Sequence, residues 1–141
     1  MKMTITFLLI FTFELLKAPS FTVGYVARPE VIAPYEKLWQ AVCQVESSGD
    51  PFAIGDRHLK NKSYGISQIR QSRLDDYYNR TGIRYSVTDM FDTVKSKQVF
   101  MHYASGDYEK VARAWNAGPN WKKVKISENY YLKIQKTLLS L

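Results

Sequence analysis

The chain has 141 residues, 45% of them hydrophobic and 14% aromatic, with a formal net charge of +7 and a sequence pI of about 9.5. That composition is globular, excludes a disordered polymer and gives one domain enough apolar matter for a core without metal or disulfide staples. The basic surface suits polyanions such as nucleic acid, anionic lipid or an acidic wall polymer. No nucleic-acid motif accompanies the charge, so nucleic acid is not an expected partner, and the lone Cys43 excludes an intramolecular disulfide.

Lys2 followed by the apolar run Thr4 to Phe13 resembles a secretory signal, too short for a membrane span. Residues 1–19 are therefore read as a signal peptide or N-terminal hydrophobic leader. Glu14 and Lys17 fall where small neutral residues should precede a cleavage site, which keeps an uncleaved, membrane-associated leader as the alternative. Residues 20–33, with Gly24 and Pro29, read as a linker. The folded domain is expected over 34–141.

The first helix is expected from Pro34 to Ser47, with proline tolerated in its first turn. Tyr35, Leu38, Trp39, Val42, Cys43 and Val45 recur at helical spacing and mark one apolar face. Glu46 lies seven residues after Trp39 and four after Val42, on that same face, and Gly49 and Pro51 stop the helix just beyond it. Burial and the negative end of the helix dipole both favour the protonated carboxyl, as a general acid working near neutral pH requires. A helix-terminal glutamate turned to water, or paired with a lysine or arginine, is the plain alternative.

Asp50 to Ser63 reads as a loop holding at most a small hairpin, long enough to be a functional loop. A second helix is expected over Gly65 to Asn79, closed by Gly82, with Ile66, Ile69, Leu74, Tyr77 and Tyr78 apolar. Thr88 is read as the N-cap of a third helix through Tyr103, its apolar side carrying Phe91, Val94 and Met101. Asp107 caps a fourth, Tyr108 to Asn116, which Gly118-Pro119 terminates. Ser127 is read as the cap of the last, Glu128 to Ser140, with Tyr131, Ile134, Leu138 and Leu139 packing. Lys122, Lys123 and Lys125 form a basic cluster read as a solvated face.

Four blocks resemble, in order, the motifs of the soluble lytic transglycosylase (SLT) domain family. They are Glu46-Ser47-Ser48-Gly49-Asp50-Pro51, then Tyr64-Gly65-Ile66-Ser67-Gln68-Ile69, then Ala114-Trp115-Asn116-Ala117-Gly118-Pro119, then Tyr130-Tyr131-Leu132-Lys133-Ile134. The resemblance covers residues 34 to 136 and implies an α+β, predominantly helical, lysozyme-like fold with a substrate cleft and at most a small β-hairpin. It implies Glu46 as the catalytic acid, with Ser47, Tyr64, Gln68, Asn116, Tyr130 and Tyr131 as substrate-binding or acid-orienting residues and with no metal or other cofactor. Ser67 stands where the family's second block has Met, which on this reading removes an apolar wall from the cleft. Trp115 stands where the third block has Tyr.

The implied reaction is cleavage of the β-1,4 bond between N-acetylmuramic acid and N-acetylglucosamine in peptidoglycan. One glutamate serves as acid and then base, leaving a 1,6-anhydromuramic end. In animal-type lysozymes a second acid immediately precedes a Tyr-Gly-Ile block. Ser63 occupies that place here, which tilts the reading away from hydrolysis. Asp50 and Asp56 keep a lysozyme-type hydrolase open, and a non-catalytic peptidoglycan-binding module is a further alternative. The implied setting is exported, periplasmic or extracellular, as a monomer working on glycan strands, in the service of a secretion, conjugation or phage machine. Cys43, His102 and Asn116 occur in the order of a papain-type triad, but Cys43 sits on an apolar face far from a helix N-terminus and reads as buried and inert. His58 and His102 lack metal-ligand spacing.

Overall fold

The computed structural model describes residues 34–141; the leader and the linker lie outside the described residues. Five helices surround one core, and a small sheet stands beside them. The first helix, α1 (Glu36–Ser47), buries Leu38, Trp39, Ala41, Val42 and Cys43, and ends at Ser48 in the left-handed conformation, φ 57°. Its apolar stripe is the one expected, while Pro34 stands just outside its first turn.

The loop beyond α1 folds into three two-residue strands, β1 (Ile54–Gly55), β2 (Ser63–Tyr64) and β3 (Ile69–Arg70), antiparallel in the order β1-β2-β3. The hairpin expected here is thus completed by a third strand. That strand occupies sequence read as the start of the second helix, which begins only at Gln71 as α2 (Gln71–Thr81). Gly65 at φ 75° and Gln68 at φ 54° turn the chain left-handed, which an α-helix excludes. A Cβ on Gly65 would sit 1.9 Å from the Met90 carbonyl oxygen, so the turn needs glycine for space as well. Gly82 caps α2 as expected, at φ 74°.

The third helix is also shorter than its sequence suggests. Ser86 and Asp89 form a reciprocal capping box on a 3-10 turn, Val87–Phe91, and Asp92 then caps α3 (Thr93–Tyr103) by accepting from the Val94 and Lys95 amides. Thr88 is inside the 3-10 turn, not a cap. The register shifts accordingly: Val94 is 66% exposed, and Ser96, Val99 and Phe100 face the core.

Helix α4 (Tyr108–Ala117) is capped by Asp107 and ends at Gly118, as expected. After a second 3-10 turn, Trp121–Lys123, the last helix α5 (Ile126–Leu138) starts before Ser127. Ser127 is fully buried and does not cap. Its hydroxyl bonds the Val124 and Trp121 carbonyls and accepts from Arg113 Nε at 3.0 Å. Arg113 further donates to Glu109 at 2.7 Å and to Glu128 at 3.3 Å, so one buried guanidinium fastens α4 to α5. Tyr130 and Ile134 are the buried side chains that α5 gives the apolar core, whereas Leu139 is 91% exposed.

Phe100 anchors the core, with ring centroids 5.2 Å from Trp39 and 5.1 Å from Trp115. These contacts join α1, α3 and α4. No helix of the described residues is long and apolar enough to cross a membrane.

Candidate active site

Between the sheet and the helices lies a cavity of about 520 Å³ lined by Glu46, Gly55, Asp56, Ser63, Gln68, Arg70, Ser72, Arg73, Trp115 and Asn116. Glu46 comes from the last turn of α1. It is half-buried, and burial pushes its carboxyl up to about 7. Tyr130 opposes that shift by donating a 2.8 Å hydrogen bond to Oε1, the Asp56 charge adds to it, and Arg73 and Arg70 pull against it. An acid so poised holds and releases a proton within the neutral range.

Each neighbour is placed by a local reason. Gln68 stands in its left-handed turn, where Nε2 donates to Gly65 O at 2.8 Å and Ala53 O at 3.3 Å while Oε1 accepts from Ser63 at 2.7 Å. The amide is spent on the sheet and forms a wall of the cavity. Ser67 beside it points the other way. It is fully buried and pairs its hydroxyl with Ser96 of α3 at 2.8 Å, so the Met-to-Ser departure alters the core and leaves the cavity wall untouched.

Trp115 donates Nε1–H to Ser67 O at 3.3 Å, tying α4 to the same turn and carrying Asn116 to the cavity edge. The exposed Asn116 amide makes no hydrogen bond to a described residue. Ser47 reaches Ile66 O at 2.8 Å and Cys43 O at 3.2 Å. It stitches the end of α1 to the turn and does not line the cavity.

Of the two adjacent tyrosines, Tyr130 reaches Glu46. Tyr131 packs half-buried against the core, and Tyr64 packs edge-on against Phe91 at 6.2 Å; neither lines the cavity. The four motif blocks thus bring Glu46, Gln68, Asn116 and Tyr130 together and leave Ser47, Tyr64 and Tyr131 in supporting positions. Residues 33–138 match the family model of the transglycosylase SLT domain. The chain belongs to that family, within the lysozyme-like superfamily. No curated protein matches it. SLT membership points to an enzyme that cleaves glycosidic bonds of peptidoglycan.

Three residues of this SLT site were not found as site residues from sequence. Arg70 and Arg73 follow the turn on β3 and α2, and both line the cavity. Asp56, in the sequence a loop acid that would have to swing toward the cleft, already lines it, at a positive φ of 50°. It is held by Arg70 Nη2 at 2.5 Å and by the Ser63 hydroxyl at 3.2 Å. Asp50 instead turns back to accept from the Phe52 amide, as a turn residue does. Cys43 is buried, and burial chiefly pushes its thiol up to about 12, which rules out a resting thiolate. His102 is held edge-on between Tyr77 and Tyr103 at 5.1 and 5.0 Å.

Proposed function

We propose that this SLT domain is a lytic transglycosylase acting with Glu46 as its single catalytic carboxyl. Glu46, protonated, delivers its proton to the departing glycosidic oxygen as the C1–O bond breaks. The carboxylate left behind takes the proton of the muramic acid C6 hydroxyl as O6 closes on C1, so the proton is returned and no water is consumed. An intramolecular hydroxyl carries a high effective concentration, which removes the need for a second carboxylate to activate water. The observation that carries the reading is the raised, Tyr130-bonded carboxyl of Glu46 on a cavity whose other acid, Asp56, is neutralised by Arg70. Asn116, with its amide unengaged, is assigned to the glycan, and Gln68 to the shape of the wall.

A lysozyme-type hydrolase is the second reading, favoured by the presence of Asp56 on the same cavity. Purified cell wall digested with the protein and examined by mass spectrometry separates the two. Muramic ends lighter by one water are expected; reducing ends would replace the lyase with the hydrolase. Binding without release would leave a non-catalytic module. A peptidoglycan substrate supports an exported location for the protein; we propose further that it works on wall strands as a monomer in the service of a secretion, conjugation or phage machine.

A further inference from the structure

The last helix has an outward face that the domain itself does not use. Along α5, where successive residues turn by about 100°, Ser127, Tyr130 and Ile134 point inward and are buried. The opposite side presents Leu132 and Leu139 along one edge and Ile126 along the other, 61%, 91% and 68% exposed. Lys125, Lys133 and Lys136 lie between those edges, and Lys122 and Lys123 stand exposed in the 3-10 turn just before the helix. The only acidic side chain of residues 121–141 is Glu128, and Arg113 holds it at 3.3 Å. None of the five lysines makes an ion pair with a described residue.

An apolar side chain standing alone on a surface needs no explanation, but three on one side of one helix, interleaved with unpaired lysines, ask for a partner that answers both. A soluble polyanion would answer the lysines and leave the leucines in water. A second copy of this face would set lysine against lysine. A bilayer with anionic headgroups does both at one depth, because the leucines enter the acyl boundary while the lysine stems stretch back to the phosphates. We infer that the outer face of α5 seats the domain on an anionic lipid surface, the helix lying in the plane of the headgroups. The contact is peripheral, since no helix of the described residues is long and apolar enough to cross. Tyr130 stands about 160° around the helix from Leu132. Seating α5 in this way therefore turns the side that meets Glu46 away from the lipid, free for a glycan strand. The inference does not depend on the lytic reading of Glu46.

Two measurements test the seat. In the first, the full chain is sedimented with vesicles of phosphatidylglycerol mixed with phosphatidylcholine. Residues 1–33 are the same in every form compared, so differences between forms report on α5. Lys133→Glu with Lys136→Glu should weaken binding on the order of twentyfold, each lysine near an anionic surface being worth about fivefold. Leu132→Ser with Leu139→Ser should weaken it about tenfold. Val94→Ser, an equally exposed apolar site on α3, should leave it unchanged. Loss in the lysine pair with none in the leucine pair would make the face a site for soluble polyanions and overturn the lipid seat. Unchanged binding in both pairs would overturn it as well.

The second measurement reads contact directly, whatever else in the chain holds the lipid. An environment-sensitive fluorophore is attached at Leu132→Cys or, as the control, at Val94→Cys; Cys43 is buried and stays unlabelled. The same vesicles should shift the emission at position 132 to the blue and shield it from aqueous iodide, while the label at position 94 remains quenchable. A label at 132 that stays quenchable on vesicle-bound protein would refute the seat. Shielding that grows with protein concentration in the absence of vesicles would give the face to a second copy and refute it too.

Discussion

Tyr130 and Glu46, separated by 84 positions in the chain, meet through a 2.8 Å hydrogen bond from phenol to carboxyl. The bond joins the end of α1 to the middle of α5 and sets the charge state on which the proposed chemistry turns. Burial raises the acid and the phenol lowers it, so removing the phenol and removing Asp56 should act in opposite directions. Tyr130→Phe takes away a donor that favours the carboxylate, and the basic limb of the activity profile should move to higher pH. Asp56→Asn takes away a neighbouring negative charge and frees Arg70, and the limb should move to lower pH. Shifts of about half a unit each way are expected. Initial rates on purified wall between pH 5 and 9 test this, and movement of both variants in one direction would refute the electrostatic account.

Glu46→Gln is expected to reduce turnover on the order of 10²–10⁴-fold, the usual share of a general acid. It also has a consequence for stability. The folded carboxyl sits at about 7 against an ordinary 4.5, so the native state holds its proton more tightly than the unfolded chain does. That preference is fully present below pH 4.5 and is lost as pH rises through 7. Glutamine has no proton to lose. Wild type and variant should therefore have similar denaturation midpoints at pH 4, while the variant should be about 1–3 kcal/mol more stable at pH 8. A difference independent of pH would mean that the carboxyl is not desolvated.

The cavity wall makes a steric prediction. A Cβ on Gly55 would approach Gln68 Oε1 to 2.1 Å and Ser63 Oγ to 2.6 Å. Gly55→Ala should displace the Gln68 amide from its three partners, costing about 1–3 kcal/mol, with loss of activity out of proportion to unfolding. Urea denaturation combined with assays at a temperature where the variant is fully folded checks both parts. Unchanged kinetics would show that the amide has no part in shaping the site.

The Ser67–Ser96 pair lends itself to a double-mutant cycle. Either serine changed alone to alanine leaves a buried hydroxyl without its partner, at a cost of about 1–3 kcal/mol, whereas changing both removes the need. The double variant should be more stable than the sum of the singles predicts. Strict additivity would mean that the two hydroxyls are not coupled.

Local patterns made much of this architecture legible. The stripe on α1 announced both the helix and the inward glutamate, Asp107 and Gly118 bracketed α4, and Gly82 closed α2. Periodicity failed where the backbone turns left-handed. Gly65 to Gln68 has the apolar spacing of a helix start, but Ile69 belongs to a strand and Ser67 to a buried polar pair. It failed again where Ser86 and Asp92 divided what the apolar pattern joined. At the site, Glu46 and Asn116 were readable from their motif blocks. Arg73 was not, because its orientation comes from Tyr103 and Trp115 on two other helices, and nothing near it in the chain signals that stacking. Asp56 was weighed as a loop acid, but the partner that pins it, Arg70, lies 14 residues away.

The clasp that Arg113 makes between α4 and α5 places a control point outside the cleft. The same helix that it holds down supplies the phenol over the acid. Were α5 to lift from α1 and α4, the carboxyl would lose its phenol partner and the burial that raises it together, and would ionise as a carboxylate in water does. A single clasp between two helices thus guards the proton on a third.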